Sequence, residues 1–258
     1  MNLPHKLDRT VVIRASRETV FRFFTDTQRW ASWWGKGSTI DAKPGGKMFI
    51  QHPEGTQAMG EVLEVTPPEH IVFTYGFVSG KPIAPGTSRV TIRLEAAGPG
   101  GRETRLSLKH EFAETAVRDE HVQGWRFQLA LFGNLVANEV NANASGVVDA
   151  WFDAWAEPDA TARVRAIEQI AAPDIHFRDQ YSLTDGVADL LPHIAAAQIH
   201  MPGIRLRRNG DVRHCQGTVL ADWKVVMPDG QQKGTGTNVF TIGPDGRIES
   251  VTGFWNRG

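Results

Sequence analysis

The sequence predicts an α+β fold in two domains, each with helices packed on one side of a curved, mostly antiparallel sheet. Three observations predict it. A chain of 258 residues exceeds the usual size of one domain. Each half mixes period-two strand patterns with apolar stripes of helical spacing. Residues 138–145 are small and polar, with three asparagines among eight residues, which is typical of a linker. We therefore expect domains at residues 1–140 and 145–258.

The first half begins with a strand and two short helices. The alternating run Thr10–Arg14 predicts the strand, and Ser16 stands where a helix N-cap is needed before an apolar run. Asp26 or Thr27 begins the second helix, which carries three of the eight tryptophans. Period-two patterns then predict five strands: Lys47–His52, Gln57–Val65, His70–Phe77, Ser88–Glu95 and Thr104–Phe112.

A long helix completes the first half and ends within residues 138–145. Its apolar side chains recur at spacings of three and four, which gives one continuous stripe. The stripe consists of Val122, Trp125, Leu129, Phe132 and Val136.

The second half has the same mixture in a different order. Helices are predicted at Val147–Trp155 and Thr161–Ala171, with Pro158 between them, followed by a short strand at Asp174–Asp179 and a helix at Val187–His200. Four further strands are predicted: Ile204–Arg208, Arg213–Met227, Lys233–Ile242 and Ile248–Phe254.

Composition excludes several classes of function. The 28 basic and 29 acidic side chains nearly cancel, so the basic excess that nucleic-acid binding or an anionic membrane surface requires is absent. Residues 1–10 lack the apolar core that a signal peptide is expected to have, and no apolar run of about 18 residues occurs in the sequence. The single cysteine, Cys215, excludes an intramolecular disulfide. We expect a cytoplasmic protein without cofactor or metal.

Ordered motifs in the first half resemble a known superfamily. They are Val20-Phe21, Thr25-Asp26, Trp33-Trp34-Gly35, Pro44-Gly45-Gly46-Lys47, residues 60–69, Ser88-Arg89-Val90-Thr91, residues 104–108 and residues 121–125. The set resembles the START-type (helix-grip, SRPBCC) superfamily and, within it, the bacterial homologues of heat-shock-protein-90 ATPase activators. The resemblance implies a helix-grip fold of a kind that binds lipids, polyketides or hormones and in some members cyclises or detoxifies its ligand.

The second half is similar to the SnoaL-like branch of the nuclear transport factor 2-like fold. The similarity rests on residues 172–179, Asp185-Gly186, residues 236–240, residues 245–248 and residues 251–255. It implies an α+β cone of a kind that hosts isomerases, polyketide cyclases, dehydratases and plain binders, and that commonly forms a homodimer through the open face of its sheet.

Alternation along the strands predicts a ligand pocket in the first domain. Residues two apart share a face, so His52, Tyr75 and His110 each point where apolar neighbours point. A few polar groups among aromatic side chains are the usual make-up of a small-molecule site. The predicted ligand-binding residues of this domain are Trp34, His52, Tyr75, Phe77, His110 and Trp125. The alternative is that the histidines and aromatics are ordinary core residues.

A second candidate site depends on Asp179, which shares a strand face with Ile175 and Phe177. A carboxylate beside apolar groups suits a general base, because desolvation makes it hold a proton more readily. The SnoaL-like resemblance places Asp179 at the proton-shuttling position of ketosteroid isomerase-like enzymes, Asn238 at that of a protonated aspartic acid and Trp151 at that of an oxyanion-stabilising tyrosine. Since the last two differ from the pattern, steroid isomerase activity is not expected. The alternative role of Asp179 is structural, through hydrogen bonds to backbone amides or Arg178.

Other clusters have plainer interpretations. The group Trp30, Trp33 and Trp34 either surrounds a cavity mouth or packs a short helix onto the sheet, and packing is favoured for at least two of them. Cys215 alternates with Gly217 and other apolar residues, which predicts an inert buried thiol.

Three functions remain open. The first is a binder of small hydrophobic or aromatic molecules, with one cavity in each domain. The second is a cyclase, isomerase or dehydratase in which Asp179 is the base and Asn238 its electrophilic partner. The third is an interaction protein, linked to a chaperone through the first half or dimerising through the second. Ligand identity is left open.

Overall fold

The computed structural model describes residues 2–256 and divides into two compact units between Ala137 and Asn138. Each unit combines helices with a seven-stranded sheet, which confirms the predicted α+β class.

The first unit contains three helices and a sheet in which every neighbouring pair is antiparallel. Its strand order is β1-β7-β6-β5-β4-β3-β2. The helices are α1 (Arg17–Arg22), α2 (Thr27–Trp34) and α3 (Thr115–Val140). The strands are β1 (His5–Ile13), β2 (Thr39–Ile40), β3 (Lys47–Gln51), β4 (Gln57–Thr66), β5 (His70–Phe77), β6 (Ser88–Ala97) and β7 (Glu103–Phe112).

Side-chain caps begin the two short helices where the sequence predicts them. The Ser16 hydroxyl accepts a hydrogen bond from the Thr19 backbone N–H (3.3 Å), and the Asp26 carboxylate accepts one from that of Arg29 (2.9 Å). Each cap satisfies an N–H that has no partner within the first turn of its helix.

Aromatic rings form the core between these helices and the sheet. Phe132 of α3 is fully buried, and its ring centroid lies 5.1 Å from that of Phe24 and 5.0 Å from that of Trp33. Trp30 and Trp33 are fully buried as well, and their indole N–H groups donate to the carbonyls of Phe49 and Phe23. Both tryptophans therefore pack in the core, and Trp33 also lines a cavity of this unit.

The second unit contains three helices and a sheet with one parallel pair, β14 with β8. Its strand order is β10-β12-β13-β14-β8-β9, and β11 pairs with β12. The helices are α4 (Ala144–Ala156), α5 (Ala160–Ile170) and α6 (Val187–His200). The strands are β8 (Ala171–Arg178), β9 (Leu183–Asp185), β10 (Arg205–Arg208), β11 (Arg213–Cys215), β12 (Thr218–Val226), β13 (Gln232–Ile242) and β14 (Ile248–Trp255).

Three sequence-based expectations for this unit differ from the structure. The predicted strand Arg213–Met227 is a hairpin, because Gln216 and Gly217 have positive φ angles (48° and 83°) and separate β11 from β12. Cys215 consequently lies beside the turn and is exposed, not buried. The predicted helix Thr161–Ala171 ends one residue earlier, and Ala171 begins β8.

Within residues 2–256, no helix combines the length and the apolar character that crossing a bilayer requires.

Replacing Phe132 by alanine is expected to lower the free energy of unfolding of the first domain by about 3–5 kcal/mol, because a buried ring is lost and a cavity remains. Phe127→Ala, on the same helix but 68% exposed, is the matched control and is expected to change it by less than about 0.5 kcal/mol. Urea denaturation of both variants measures the difference. Equal effects would show that α3 does not pack as described.

Candidate functional site

The first unit contains a cavity of about 740 Å³ between α2, α3 and the neighbouring strands. We call it the first cavity. Five of the six residues predicted to bind ligand in this domain line it: Trp34, His52, Tyr75, Phe77 and Trp125. The sixth, His110, is fully buried and lies outside the lining. Aromatic rings therefore form a large part of the walls.

His110 is the centre of a buried hydrogen-bonded chain behind this lining. The indole N–H of Trp125 donates to His110 Nδ1 (2.9 Å), and the Ser88 hydroxyl donates to the Tyr75 carbonyl (2.7 Å). The Ser88 oxygen lies 2.8 Å from His110 Nε2 and has its own proton committed, so the Nε2–H of His110 donates to it. This arrangement fixes one neutral tautomer of the imidazole.

The same chain removes His110 from proton transfer. Burial lowers its pKa well below the ordinary value of 6.5, and the neighbouring His121 lowers it further. Both ring nitrogens are occupied, so no lone pair is left for a ligand. The contribution of His110 is to hold the Trp125 ring in the cavity wall.

His121 is a lining residue that the sequence interpretation missed as a site residue. Its Nδ1–H donates to the Val117 carbonyl one helical turn earlier (2.7 Å), which leaves Nε2 as an acceptor. That Nε2 is buried without a hydrogen-bond partner among the described residues, and burial lowers the pKa of the ring. Its position one turn before Trp125, on the same face of α3, is the signal that would have identified it.

Trp34 supplies a complementary group. Its ring is 5% exposed, and its indole N–H has no hydrogen-bond partner within residues 2–256. Burial lowers the pKa of His52 and raises that of the Tyr75 hydroxyl, so both side chains are neutral at physiological pH. The first cavity thus combines aromatic rings with neutral polar groups, among them one free donor and one free acceptor, and with the carboxyl groups of Glu54 and Glu120.

The second unit contains a cavity of about 640 Å³, which we call the second cavity. All three residues predicted for this domain line it: Trp151, Asp179 and Asn238. Further aromatic lining comes from Trp155, Phe177, Tyr181, Trp223 and Trp255. The structure therefore brings the predicted residues of this domain to one cavity.

Asp179 follows the end of β8 and is half-buried. Its Oδ1 accepts hydrogen bonds from the backbone N–H groups of Tyr181 (2.8 Å) and Ser182 (2.9 Å) and from the Ser182 hydroxyl (3.1 Å). Its Oδ2 accepts one from the indole of Trp255 (3.2 Å). Asp179 therefore has the structural role that the sequence offered as the alternative, through hydrogen bonds to backbone amides. Its Oδ2 accepts one hydrogen bond and can accept another.

His193 extends this network but does not make Ser182 a nucleophile. His193 Nε2 lies 3.1 Å from the Ser182 oxygen, whose proton is directed to Asp179. The imidazole must therefore donate to the serine instead of accepting its proton. In a serine hydrolase triad the serine donates to the histidine and the histidine donates to the carboxylate. Here the histidine donates to the serine and the serine donates to the carboxylate.

Asn238 and Asp179 meet at Gly253. The Asn238 Oδ1 accepts the indole N–H of Trp223 (2.8 Å), which fixes the orientation of the amide. A Cβ atom at Gly253 would lie 3.1 Å from that oxygen and 3.2 Å from the Asp179 Cβ, so the glycine admits both side chains. The fixed amide of Asn238 and the side chain of Asp179 therefore both lie next to Gly253.

Among residues 2–256, no group of three His, Cys, Asp or Glu side chains is arranged to hold a metal ion.

Comparison with known families agrees with this architecture. Residues 14–137 match the family described as Activator of Hsp90 ATPase homolog 1-like protein. The first half of the chain is therefore similar to this family, as the resemblance in the sequence predicts. No curated protein matches the chain.

Solved structures match about half of the length of the chain. A SnoaL-like family protein from Agrobacterium tumefaciens, described as an isomerase, is 26% identical, with 43% of this chain and 96% of that one covered and a TM-score of 0.42. An HSP90 activator from Plasmodium falciparum is 26% identical over 46% of this chain and 86% of its own, with a TM-score of 0.38. The Aha1 dimer from Colwellia psychrerythraea is 15% identical over 48% and 90%, with a TM-score of 0.42.

The buried histidines predict acid sensitivity of the first domain. Because the pKa of His52, His110 and His121 is lowered on folding, the unfolded chain takes up protons below pH 6.5 while the folded domain does not. Stability is therefore full above pH 6.5 and falls with pH, by up to about 1.4 kcal/mol per histidine per pH unit.

Urea denaturation from about pH 7.5 to about pH 5 measures this dependence, above the range in which carboxylates titrate. His121→Phe removes one of the three groups and is expected to flatten the profile. A stability of the first domain that does not change over this range would contradict the description of these histidines.

Proposed function

We propose that the protein binds small hydrophobic or aromatic molecules, in one cavity in each of two domains at residues 1–140 and 145–258. The observation that carries the proposal is the first cavity, where aromatic walls surround a buried free donor on Trp34 and a buried free acceptor on His121. Leaving such groups unpaired costs about 1–3 kcal/mol each, which a ligand with matching polar atoms would recover. The groups that line the first cavity and the family that the first half matches both favour ligand binding over catalysis in this domain.

Gly124 offers a direct test of the first cavity. It lines the cavity from α3, and a Cβ atom there would meet nothing within 4 Å. Gly124→Leu therefore adds a side chain to the cavity wall with no clash at its Cβ atom and improves helix propensity by about 0.8 kcal/mol. We expect the variant to fold and to lose one of two binding sites for the naphthalene dye prodan, measured by the blue shift of its emission on titration.

Gly133→Leu is the matched control, because Gly133 lies in the same helix, has open space at its Cβ position and lies outside the lining of the first cavity. It is expected to bind the dye as the unmodified protein does. Unchanged binding in Gly124→Leu would place the ligand elsewhere, and an absence of binding by the unmodified protein to prodan, steroids and fatty acids would overturn the proposal.

A second candidate function is proton abstraction in the second cavity, favoured by the fixed amide of Asn238 beside the carboxylate of Asp179. In this proposal Asp179 Oδ2 removes a proton from the carbon next to a ketone. The electron pair moves to the carbonyl oxygen, where the Asn238 N–H groups stabilise the enolate. The proton then returns to carbon. This is the common first step of isomerases and cyclases that act on ketones.

Exchange of the α-protons of 2-tetralone in D₂O, followed by NMR, tests this step without knowledge of the natural substrate. Asp179→Asn keeps the oxygen that accepts the backbone N–H groups but removes the base, so we expect catalysed exchange to fall by about 10²-fold or more. Asp153→Asn, an exposed position of α4, is the control and is expected to leave the rate unchanged. Equal exchange in the two variants would exclude Asp179 as the base.

Homodimer formation, a cytoplasmic location and a link to a chaperone stay predictions. The first depends on the SnoaL-like resemblance of the second domain, and the last on the family of the first.

A further inference from the structure

The second unit contains a further cleft, of about 1000 Å³, between the end of α4, the end of α6, strand β10 and the turn after β12. We call it the arginine cleft, because Arg163, Arg205 and Arg207 line it. None of the residues described as lining it is acidic. In a chain with nearly equal basic and acidic content, three unopposed cations in one cleft form a local positive potential.

Arg163 is the buried member of the set. It is 6% exposed, and its Nη1 donates to the Glu157 carbonyl (2.8 Å) and the Gln198 Oε1 (2.6 Å). Both acceptors are uncharged, and Arg163 has no ion pair with a carboxylate within the described part of the chain. The carbonyls at the end of α4 offset part of its charge. Because the other guanidinium nitrogens have no such bond, Arg163 keeps both charge and donors.

Arg205 and Arg207 bring two more cations from one face of β10. Residues two apart on a strand share a face, and both side chains are exposed. Arg208 lies on the opposite face and forms a two-point ion pair with Asp149 (2.7 and 2.9 Å). The strand therefore neutralises its inward arginine and leaves the two in the cleft without carboxylate partners among residues 2–256.

Nearby carboxylates are engaged elsewhere. Glu157 accepts the backbone N–H of Asp159, and Asp229 accepts that of Gln231. Neither lines the cleft.

The remaining walls are apolar. Ile199, which is 77% exposed, and Met201 lie on one side, with Val226 and Met227 on the other. An inorganic anion alone would leave this apolar surface in water. We propose that the arginine cleft binds the oxyanion head group of an amphipathic molecule, a carboxylate or phosphate with an apolar chain. This site is separate from the function proposed for the two cavities and does not depend on it.

Isothermal titration of the full-length protein with octanoate, octyl phosphate and 1-octanol tests the proposal. The first two probes carry the anion and the third is their neutral match. We expect octanoate or octyl phosphate to bind at least about 10-fold more tightly than octanol, and the stronger of the two identifies the head group. The variant with both Arg205→Gln and Arg207→Gln is expected to lose about 10-fold in affinity for that probe.

Arg165→Gln is the charge-matched control, because Arg165 is exposed on the same helix as Arg163 but does not line the cleft. It is expected to stay within about twofold of the unmodified protein. Equal affinity for octanol and the anions, or unchanged anion affinity in the double variant, would overturn the proposal. Loss of anion binding in Gly124→Leu would instead assign the probe to the first cavity, and that result also contradicts it.

Discussion

The need to provide an acceptor for the indole N–H of a buried tryptophan constrains the structure of both domains. An indole ring adds a large apolar area to a core, but its N–H must find an acceptor or lose the free energy of a hydrogen bond. Trp125, Trp223 and Trp255 each donate to a polar side chain at a cavity. The acceptors are His110, Asn238 and Asp179, respectively. Polar residues predicted as candidates for chemistry are therefore also the groups that allow aromatic walls to form.

Local and periodic features could be predicted from the sequence because they depend on few neighbours. The Ser16 and Asp26 caps act over three residues, and both form. Alternation along β7 correctly predicts which side chains are buried, from Thr104 to Phe112, because one face of that strand meets the core throughout. Alternation also predicted that His52, Tyr75 and Phe77 face the first cavity and that Asp179 faces the second, whereas Trp151 was placed by the SnoaL-like resemblance.

Other features depend on contacts that the sequence does not reveal. The acceptor for Trp125 comes from β7 and that of His110 from β6, so the neutral state of His110 follows only from the assembled sheet. Gln216 takes a positive φ angle that is uncommon for glutamine, which is why a hairpin resembled one strand and Cys215 was misplaced. The structural bonds of Asp179 likewise require the turn after β8 to close.

Two unsatisfied indole donors are located in cavity walls. Trp34 and Trp155 are the two tryptophans whose buried N–H lacks a partner in the described chain, and each lines a cavity, one in each unit. A buried donor without an acceptor is costly in an ordinary core, and most cores avoid it. In both units the unpaired indole N–H lies in a cavity wall, where an oxygen atom of a bound ligand would accept its hydrogen bond and remove the energetic cost. Since His110 has no free nitrogen, the unpaired donor and acceptor in the wall of the first cavity are those of Trp34 and His121, and aromatic rings lie around them.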